Sequence, residues 1–252
     1  MNKWAHKWAQ VYLKCYINLI LYYRNVYPQG SFDLTTFQGF NLPQFIPITR
    51  HPGLQNYIEE WIQDVLGKLT HIYKLSILIL DQQYDIVLER YVLDFSEFKH
   101  LEASDDDDND VNIGETEVFD EFRSSLNSLI NKMGILLPIK DNTVTFNFMI
   151  NTVNMELGHG KDVGWNLSNK EQLQKFESDT NWTRVHDEDE ENFVNIKEKP
   201  VIKMVSLIGC DIGSLIIHNY MELLELNKID QIPLKLNDIY DVQSSSLNST
   251  PF

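Results

Sequence analysis

Hydrophobic residues recur every three or four positions in the first part of the chain, the spacing that lines one face of an α-helix. The first such segment runs from Trp4 to Val26. Pro28 and Gly30 end it, because proline lacks an amide proton and glycine frees the backbone. After a proline-punctuated connection, Pro52 suits the first turn of a second helix, whose apolar stripe continues to Leu69.

A third amphipathic segment runs from about Thr116 to Met133. Acidic residues cluster at its beginning, where they favour the positive end of a helix dipole, and Gly134 is positioned to end it. Its apolar stripe consists of Val118, Phe122, Leu126, Leu129, Ile130 and Met133. The pattern therefore predicts three amphipathic helices.

Other segments have the composition and alternation of β-strands. Tyr73 to Leu80 and Ile86 to Phe95 are rich in β-branched, leucine and aromatic residues, and the short polar stretch between them predicts a β-hairpin. Thr143 to Leu157 alternates well enough to be a long strand. Strand-like sequence returns at Val201 to Ile208 and at Leu215 to Tyr220. The chain is thus predicted to mix helices and strands, in the α+β class.

Three polar regions interrupt this pattern. The acidic stretch from Glu102 to Asp110 is expected to be a solvated loop, because its charges repel each other. From Gly158 to Pro200, isolated aromatic residues stand in polar sequence that includes a second acidic run, Asp187 to Glu191. This region is interpreted as mobile or dependent on a partner. The tail beyond Ser244 is too polar to predict as ordered.

The charge of the chain bears on its partners. With 37 acidic and 21 basic residues among 252, the formal net charge is -16. Such a field repels phosphate backbones, so direct contact with DNA is not expected and proteins are favoured as partners. The hydrophobic content of 43% is enough for a substantial core.

Cysteine usage and hydropathy bear on the compartment. The two cysteines, Cys15 and Cys210, both lie in apolar stretches, which suits a reducing compartment and provides no disulfide framework. No stretch approaches the roughly 20 uninterrupted apolar residues that span a bilayer. We therefore expect an intracellular protein with no membrane partner.

The sequence lacks the familiar motifs of catalysis, including the Gly-x-Ser-x-Gly elbow, the Walker phosphate loop and the His-Glu-x-x-His zinc helix. Gly158, Gly160 and Gly164 approximate a dinucleotide-binding turn, but their spacing is one residue too long. The stretch from Asp105 has Asp110 where a calcium loop needs glycine. We expect neither a metal site nor a cofactor. An acid/base enzyme assembled only in three dimensions stays open as an alternative.

Several long strings resemble the HORMA-domain accessory subunits of the translesion DNA polymerase zeta, of the yeast type. The strings are LKCYINLILYYRNVYP (13–28), HPGLQNYIEEWIQDVL (51–66), YVLDFSEF (91–98), TEVFDEFRSSLNSLI (116–130), SDTNWTRVHDEDE (178–190) and SLIGCDIGSLIIHNY (206–220). They are distributed over most of the chain up to Tyr220.

The resemblance implies a HORMA domain over residues 1–220, with three helices packed on a mainly antiparallel sheet. Its core is expected at about 4–157 and a C-terminal "seatbelt", which wraps a partner peptide, at about 158–220. Residues 221–252 are expected to form a partly disordered extension. Such a protein is a non-catalytic adaptor without an active site.

The resemblance also implies partners and site residues. A short Pro-containing segment of the catalytic subunit of polymerase zeta is expected to contact Tyr57 and Trp182. The C-terminal domain of the deoxycytidyl-transferase translesion polymerase is expected to contact Tyr220 and His218, where the family carries glutamine in place of the histidine. Arg123 is the candidate for contact with a possible second copy of the chain. The expected location is the nucleus, where the complex supports error-prone tolerance of DNA damage.

Two alternatives accompany this hypothesis. The first keeps the fold and changes the partner, making the chain a HORMA adaptor of the spindle checkpoint or of the meiotic chromosome axis. The second is a hydrolase or transferase with an unfamiliar site, which predicts a deep pocket with convergent titratable groups. The adaptor instead predicts an elongated groove under a movable segment.

Overall fold

A computed structural model describes residues 3–35, 45–69, 72–95, 114–152, 182, 201–213, 215–225 and 234–241. The chain divides into a larger unit, residues 1–152 and 198–252, and a smaller unit, residues 153–197, of which only Trp182 is described. The acidic runs at 102–110 and 187–191, most of the expected seatbelt before residue 201, and the tail beyond Ser244 lie outside the described residues.

Three long helices occupy the positions that the apolar stripes predict. They are α1 (Lys3–Tyr23), α2 (Pro52–Gly67) and α3 (Glu115–Met133). α2 begins where His51 caps it, since His51 Nδ1 accepts a hydrogen bond of 3.2 Å from the Leu54 amide. At the start of α3, the Glu117 side chain accepts a hydrogen bond of 3.1 Å from the Gly114 amide.

Seven strands form two sheets among the described residues. Their bounds are β1 (Phe32–Thr35), β2 (Ile46–Thr49), β3 (Ile72–Asp81), β4 (Val87–Asp94), β5 (Val144–Thr152), β6 (Ile202–Asp211) and β7 (Ile216–Leu224). β1 and β2 pair with each other, and the other strands form an antiparallel sheet in the order β5-β3-β4-β7-β6. The predicted hairpin is β3 and β4, and the predicted α+β class is confirmed.

The connection between α1 and α2 differs from the prediction. It was expected to be a proline-punctuated link, but it contains a 3₁₀ turn at Gln29–Ser31 and the two strands β1 and β2. Proline has no amide N–H to donate. Pro47 is tolerated in β2 because no described strand pairs the outer side of β2, where the missing N–H costs no hydrogen bond of the sheet.

The core lies between the helices and one face of the large sheet. From Tyr12 to Leu21, α1 is buried on almost all sides, and it packs against both α2 and α3. Along each strand, side chains point alternately toward the helices and toward the outer face, as the pleat requires. Tyr91 shows this, since its hydroxyl lies 3.8 Å from the Met133 sulfur of α3.

A segment after β7 pairs with the connection between α3 and β5. A short helix, α4 (Leu236–Ile239), is followed by a bridge between Tyr240 and Ile139. The amide of Lys140 donates to the Ile239 carbonyl at 2.9 Å, and the amide of Asp241 donates to the Pro138 carbonyl at 2.8 Å. β7 continues to Leu224, so the domain end expected at residue 220 falls inside this strand.

Candidate functional site

The outer edge of β5 carries backbone groups that no described strand pairs. On the inner side, the Gln82 amide donates to the Thr143 carbonyl at 3.0 Å, and the same antiparallel register continues along β3. Antiparallel residues alternate between pairing with the neighbour and pointing away from it. The residues that direct their amide and carbonyl groups outward are therefore Val144, Phe146, Phe148 and Ile150.

Five aromatic rings lie beside this edge, and we call Tyr27, Tyr57, Trp61, Phe146 and Phe148 the aromatic platform. Trp61 stacks on Phe148 at 3.9 Å between centroids, and Tyr57 stacks on the same ring at 5.9 Å. Phe146 meets Phe148 edge to face at 5.4 Å and Tyr27 at 6.2 Å. The platform gives one side of the strand edge an apolar, aromatic surface.

Local sequence spacing places these rings together. Tyr57 and Trp61 are four residues apart in α2, so they project from the same side of the helix. Phe146 and Phe148 are two apart in β5, so they share a face of the sheet. Packing α2 over the end of that face joins the two pairs.

Tyr57, the residue predicted to contact a trapped segment, lies at the exposed side of the platform. It is 48% exposed, whereas Trp61 is 7% and Phe148 8% exposed. Burial, and then the neighbouring Tyr27, raise the pKa of the Tyr57 phenol above its ordinary value. Tyr57 therefore offers apolar area and a neutral hydroxyl to an incoming chain.

Trp182, the second residue predicted to contact that segment, belongs to the smaller unit and is half-buried. The other aromatic residues of this region, Trp165, Phe176 and Phe193, lie outside the described residues. The role of Trp182 stays a prediction.

Side chains of α3 and backbone groups of β6 hold the β6–β7 hairpin in place. Ser128 Oγ accepts a hydrogen bond of 3.0 Å from the Ile208 amide, and Glu121 Oε2 accepts one of 3.0 Å from the Asp211 amide. A Cβ atom added to Gly209 would lie 2.2 Å from the Ile217 carbonyl oxygen, so the strands can approach this closely only at glycine. The end of the expected seatbelt is thus part of the main sheet.

Tyr220 and His218, predicted to contact a second polymerase, lie together on β7. They are two residues apart and share the face of the sheet that points away from the helices. Lys74 Nζ lies 5.9 Å from the centre of the Tyr220 ring and 3.7 Å from Asp94 Oδ2. Burial lowers the pKa of Lys74. Tyr220, and after it Asp94, raise this pKa by more than burial lowers it, so the net shift is upward. A charged lysine therefore adjoins Tyr220.

Arg123, the candidate for self-association, lies on α3. Its guanidinium forms an ion pair of 2.9 Å with Asp120 and lies 5.4 Å from the centre of the Phe119 ring. The side chain is 36% exposed, so a second copy of the chain could reach it. It is on a different helix from Tyr57.

Potential metal ligands do not converge in the part of the chain that the structure describes, where no three His, Cys, Asp or Glu side chains could share an ion. Both cysteines are free and buried. Burial raises the pKa of each thiol, Cys15 and Cys210, to about 12. None of the described helices is long and apolar enough to cross a membrane.

Comparison with known proteins places this geometry in context. Residues 6–152 match the model of the family described as HORMA domain. The chain is 51% identical over 240 residues to the DNA polymerase zeta processivity subunit of Saccharomyces cerevisiae, and the match covers 95% of this chain and 94% of the yeast protein.

Two solved structures are similar in fold. A chain of the mitotic checkpoint complex superimposes with a TM-score of 0.59 at 14% identity, covering 86% of this chain and 97% of that one. C. elegans HTP-2 bound to a HIM-3 closure motif superimposes with a TM-score of 0.53 at 11% identity, covering 86% and 89%. At such identities the likeness is one of fold.

Proposed function

The chain belongs to the HORMA domain family, and from this premise we propose that it is a non-catalytic accessory subunit of DNA polymerase zeta. The identity of 51% over 95% of the chain to the yeast processivity subunit is the observation that carries the proposal. We further propose that it traps a short segment of the catalytic subunit under its seatbelt. It would thereby bridge that subunit to other bypass factors in the nucleus, in error-prone tolerance of DNA damage.

The adaptor role follows from the family. The HORMA domain is an adaptor fold and not a catalytic one, and the yeast relative is named as a processivity subunit. The chain is accordingly not an enzyme itself. The expectation of a deep catalytic pocket, which belonged to the hydrolase or transferase alternative, is replaced by that of a peptide-binding edge.

We call the edge of β5 that no described strand pairs the open edge, and it supports a mode of binding in which the partner adds a strand to the sheet. The outward backbone groups of Val144, Phe146, Phe148 and Ile150 would pair with the partner's main chain. Each such hydrogen bond contributes about 0.5 to 1.5 kcal/mol net. Backbone pairing gives affinity for many sequences, so selectivity has to come from side-chain contacts.

The aromatic platform supports selectivity for a segment with apolar side chains or proline. Complete burial of a large apolar side chain contributes about 1.5 to 3 kcal/mol, so covering the exposed half of Tyr57 would contribute about 1 kcal/mol. A proline ring in the segment would pack on an aromatic face of the platform, and this contact requires no hydrogen-bond donor. These terms offset the entropy that the segment loses on binding.

The seatbelt, proposed at residues 158–220, would close over the bound segment. Its end is already fixed in the sheet, because α3 side chains bond the amides of Ile208 and Asp211. A segment enclosed in this way can leave only when the seatbelt opens, so dissociation would be slow. Trp182 is proposed to contribute an aromatic contact from the closing region.

A second surface, centred on Tyr220 and His218, is proposed to bind the C-terminal domain of the deoxycytidyl-transferase translesion polymerase. The sheet order places β7 three strands away from β5, which is about 14 Å at about 4.8 Å per strand. Tyr220 also lies on the face of the sheet that points away from the helices, whereas Phe146 and Phe148 lie on the face toward α2. Two partners could therefore bind at once without competing.

Self-association through Arg123 is the remaining proposal. A second copy would have to exchange or extend the contacts that Arg123 makes with Asp120 and Phe119 in its own helix. Mass measurement of the wild-type chain and of Arg123→Ala in solution tests it. If the variant still forms the dimer, Arg123 is not required for self-association.

The peptide-binding proposal is tested by co-purification of the full chain with segments of the polymerase zeta catalytic subunit. We expect Tyr57→Ala and Trp182→Ala to retain less of the bound segment than the wild-type chain. Tyr84→Ala is the matched control, since Tyr84 is also a tyrosine, is 44% exposed and lies in the turn between β3 and β4. Wild-type retention by both test variants would show that the assigned site is wrong.

The choice of partner is tested by an unbiased pull-down from a nuclear extract. Recovery of the polymerase zeta catalytic subunit is expected. Recovery of spindle-checkpoint or chromosome-axis proteins without polymerase would instead favour the alternative HORMA adaptor role.

A further inference from the structure

One of the outward amides of β5 already has a hydrogen-bond partner. The amide of Phe148 donates to Oδ1 of Asn147, its neighbour in sequence, at 2.8 Å. This bond does not belong to the ladder between β5 and β3. It instead occupies a position at the middle of the strand's open edge.

The register explains why this amide is available to a side chain. Asn147 pairs with Leu78 of β3 and directs its own backbone groups inward, whereas Phe148 directs its groups outward. The side chain of Asn147 is exposed and can turn around the strand edge. A short amide side chain is well suited to such a local bond with the backbone.

An added strand would need the same amide. In either strand orientation, a partner carbonyl has to reach the Phe148 N–H if pairing is to continue past the centre of β5. The Asn147 oxygen and the partner carbonyl cannot occupy that position together. Binding of a strand therefore requires the Asn147 side chain to rotate away.

We propose that Asn147 is a reversible cap on the open edge of β5, which competes with the incoming strand for the Phe148 amide. This inference rests on the proposed function, because it assigns a regulatory residue to the same peptide-binding edge. While no partner is bound, the Asn147 side chain accepts the hydrogen bond of the Phe148 amide, the central outward donor of β5. It also makes the edge a poorer template for indiscriminate pairing, a hazard of unprotected edge strands.

Removal of the cap should strengthen binding. Asn147→Ala leaves the free chain with one hydrogen bond fewer and leaves the backbone pairing of the complex unchanged. We expect the Kd of the bound segment to fall about two- to tenfold, the change that corresponds to one hydrogen bond. Thr145→Ala is the matched control, because Thr145 is exposed on the same face of β5.

Two measurements on the full chain test the proposal. The first is amide hydrogen exchange at Phe148 without a partner, where Asn147→Ala should exchange faster than wild type and Thr145→Ala should not. Asn147→Asp keeps an acceptor oxygen and should retain the protection. The second is the affinity for synthetic peptides that tile the catalytic subunit of polymerase zeta.

The outcomes separate the cap from the proposed function. Faster exchange together with tighter peptide binding in Asn147→Ala supports the cap. Unchanged exchange, or weaker binding in Asn147→Ala, would overturn it, since weaker binding would make Asn147 a contact residue. If no peptide binds the wild-type chain, the proposed function fails and the competition fails with it, whereas the exchange data still report whether the hydrogen bond exists.

Discussion

Tyr16 of α1 donates a hydrogen bond of 2.8 Å to Oδ1 of Asn219 in β7, across 203 residues of sequence. Nδ2 of the Asn219 side chain in turn donates to Ser125 Oγ of α3 at 3.1 Å, and the Tyr12 hydroxyl lies 3.0 Å from the same oxygen. All four side chains are buried. A shift of β7 by one residue would turn Asn219 to the other face of the sheet, so this network fixes the register of the strand.

Loss of the Asn219 side chain should therefore destabilise the fold. Asn219→Leu leaves the hydroxyls of Tyr16 and Ser125 with unsatisfied hydrogen-bonding capacity in the core, and we expect the free energy of unfolding to fall by about 1 to 3 kcal/mol. Chemical denaturation measures the change. Because the two groups interact, the double variant with Tyr16→Phe should lose less than the sum of the single losses. Additive losses would show that the hydrogen bond contributes nothing.

A buried ion pair should be much more sensitive to substitution than an exposed one. Arg24 and Glu89 are both 1% exposed and are joined by hydrogen bonds of 2.5 and 2.8 Å. Replacing Arg24 with methionine leaves the buried Glu89 carboxylate without its positively charged partner. We therefore expect the free energy of unfolding to fall by about 3 to 5 kcal/mol.

The exposed pair of Arg50 and Asp33 serves as the control for that substitution. Its atoms lie 2.6 Å apart, but the side chains are 59% and 56% exposed. Water screens such pairs, and Arg50→Met should cost about 0 to 1 kcal/mol. Thermal or urea denaturation measures the stability of both variants. If Arg24→Met and Arg50→Met lose the same stability, the expected difference between the buried and the exposed ion pair is wrong.

Stability should fall at alkaline pH. Burial raises the pKa of Cys15 and Cys210 from 9.0 to about 12, and burial also raises the pKa of the Tyr16 phenol. Above about pH 9 the unfolded chain loses these protons before the folded chain does, so rising pH favours unfolding up to about pH 12. Urea midpoints between pH 8 and pH 11 measure the effect. A Cys15→Ala variant should show a shallower decline, and a flat wild-type profile would contradict the prediction.

The second proposed surface can be separated from the first by substitution. Tyr220→Ala removes the ring beside Lys74 on the outer face of β7. We expect binding of the deoxycytidyl-transferase C-terminal domain to weaken by about 2 kcal/mol, roughly thirtyfold, with no effect on the polymerase zeta segment. Calorimetry with each partner measures both. Simultaneous loss of both partners would indicate a disturbed fold instead of a contact.

Local periodicity was sufficient for most of the secondary structure. The three long helices and the β3–β4 hairpin follow from spacings that any window of ten to twenty residues contains. β1 and β2 were missed because each has only four residues, and Pro47 argues locally against a strand. The sequence alone does not reveal that a two-stranded sheet tolerates this proline.

The proposed binding edge was predictable only in part. Tyr57 is predicted through the resemblance, but Trp61 and Phe148 each fit an ordinary core position within their own elements. Their stacking depends on how α2 packs against β5, which no local pattern specifies. The cap by Asn147 is also invisible in sequence, because it depends on which residues of β5 face outward.

The docked segment around Tyr240 also affects how the protein is made. The Tyr240 hydroxyl donates to Glu89 Oε1 at 3.0 Å, and Tyr240 follows Glu89 by 151 residues in the chain. Because synthesis runs from the N-terminus, the buried carboxylate at position 89 lacks one of its donors until the segment around Tyr240 has been made and has docked. Docking of this segment completes the charge cluster, so a chain shortened to end before Tyr240 should keep a partly unsatisfied buried carboxylate and should be recognised by the proteostasis machinery as incompletely folded.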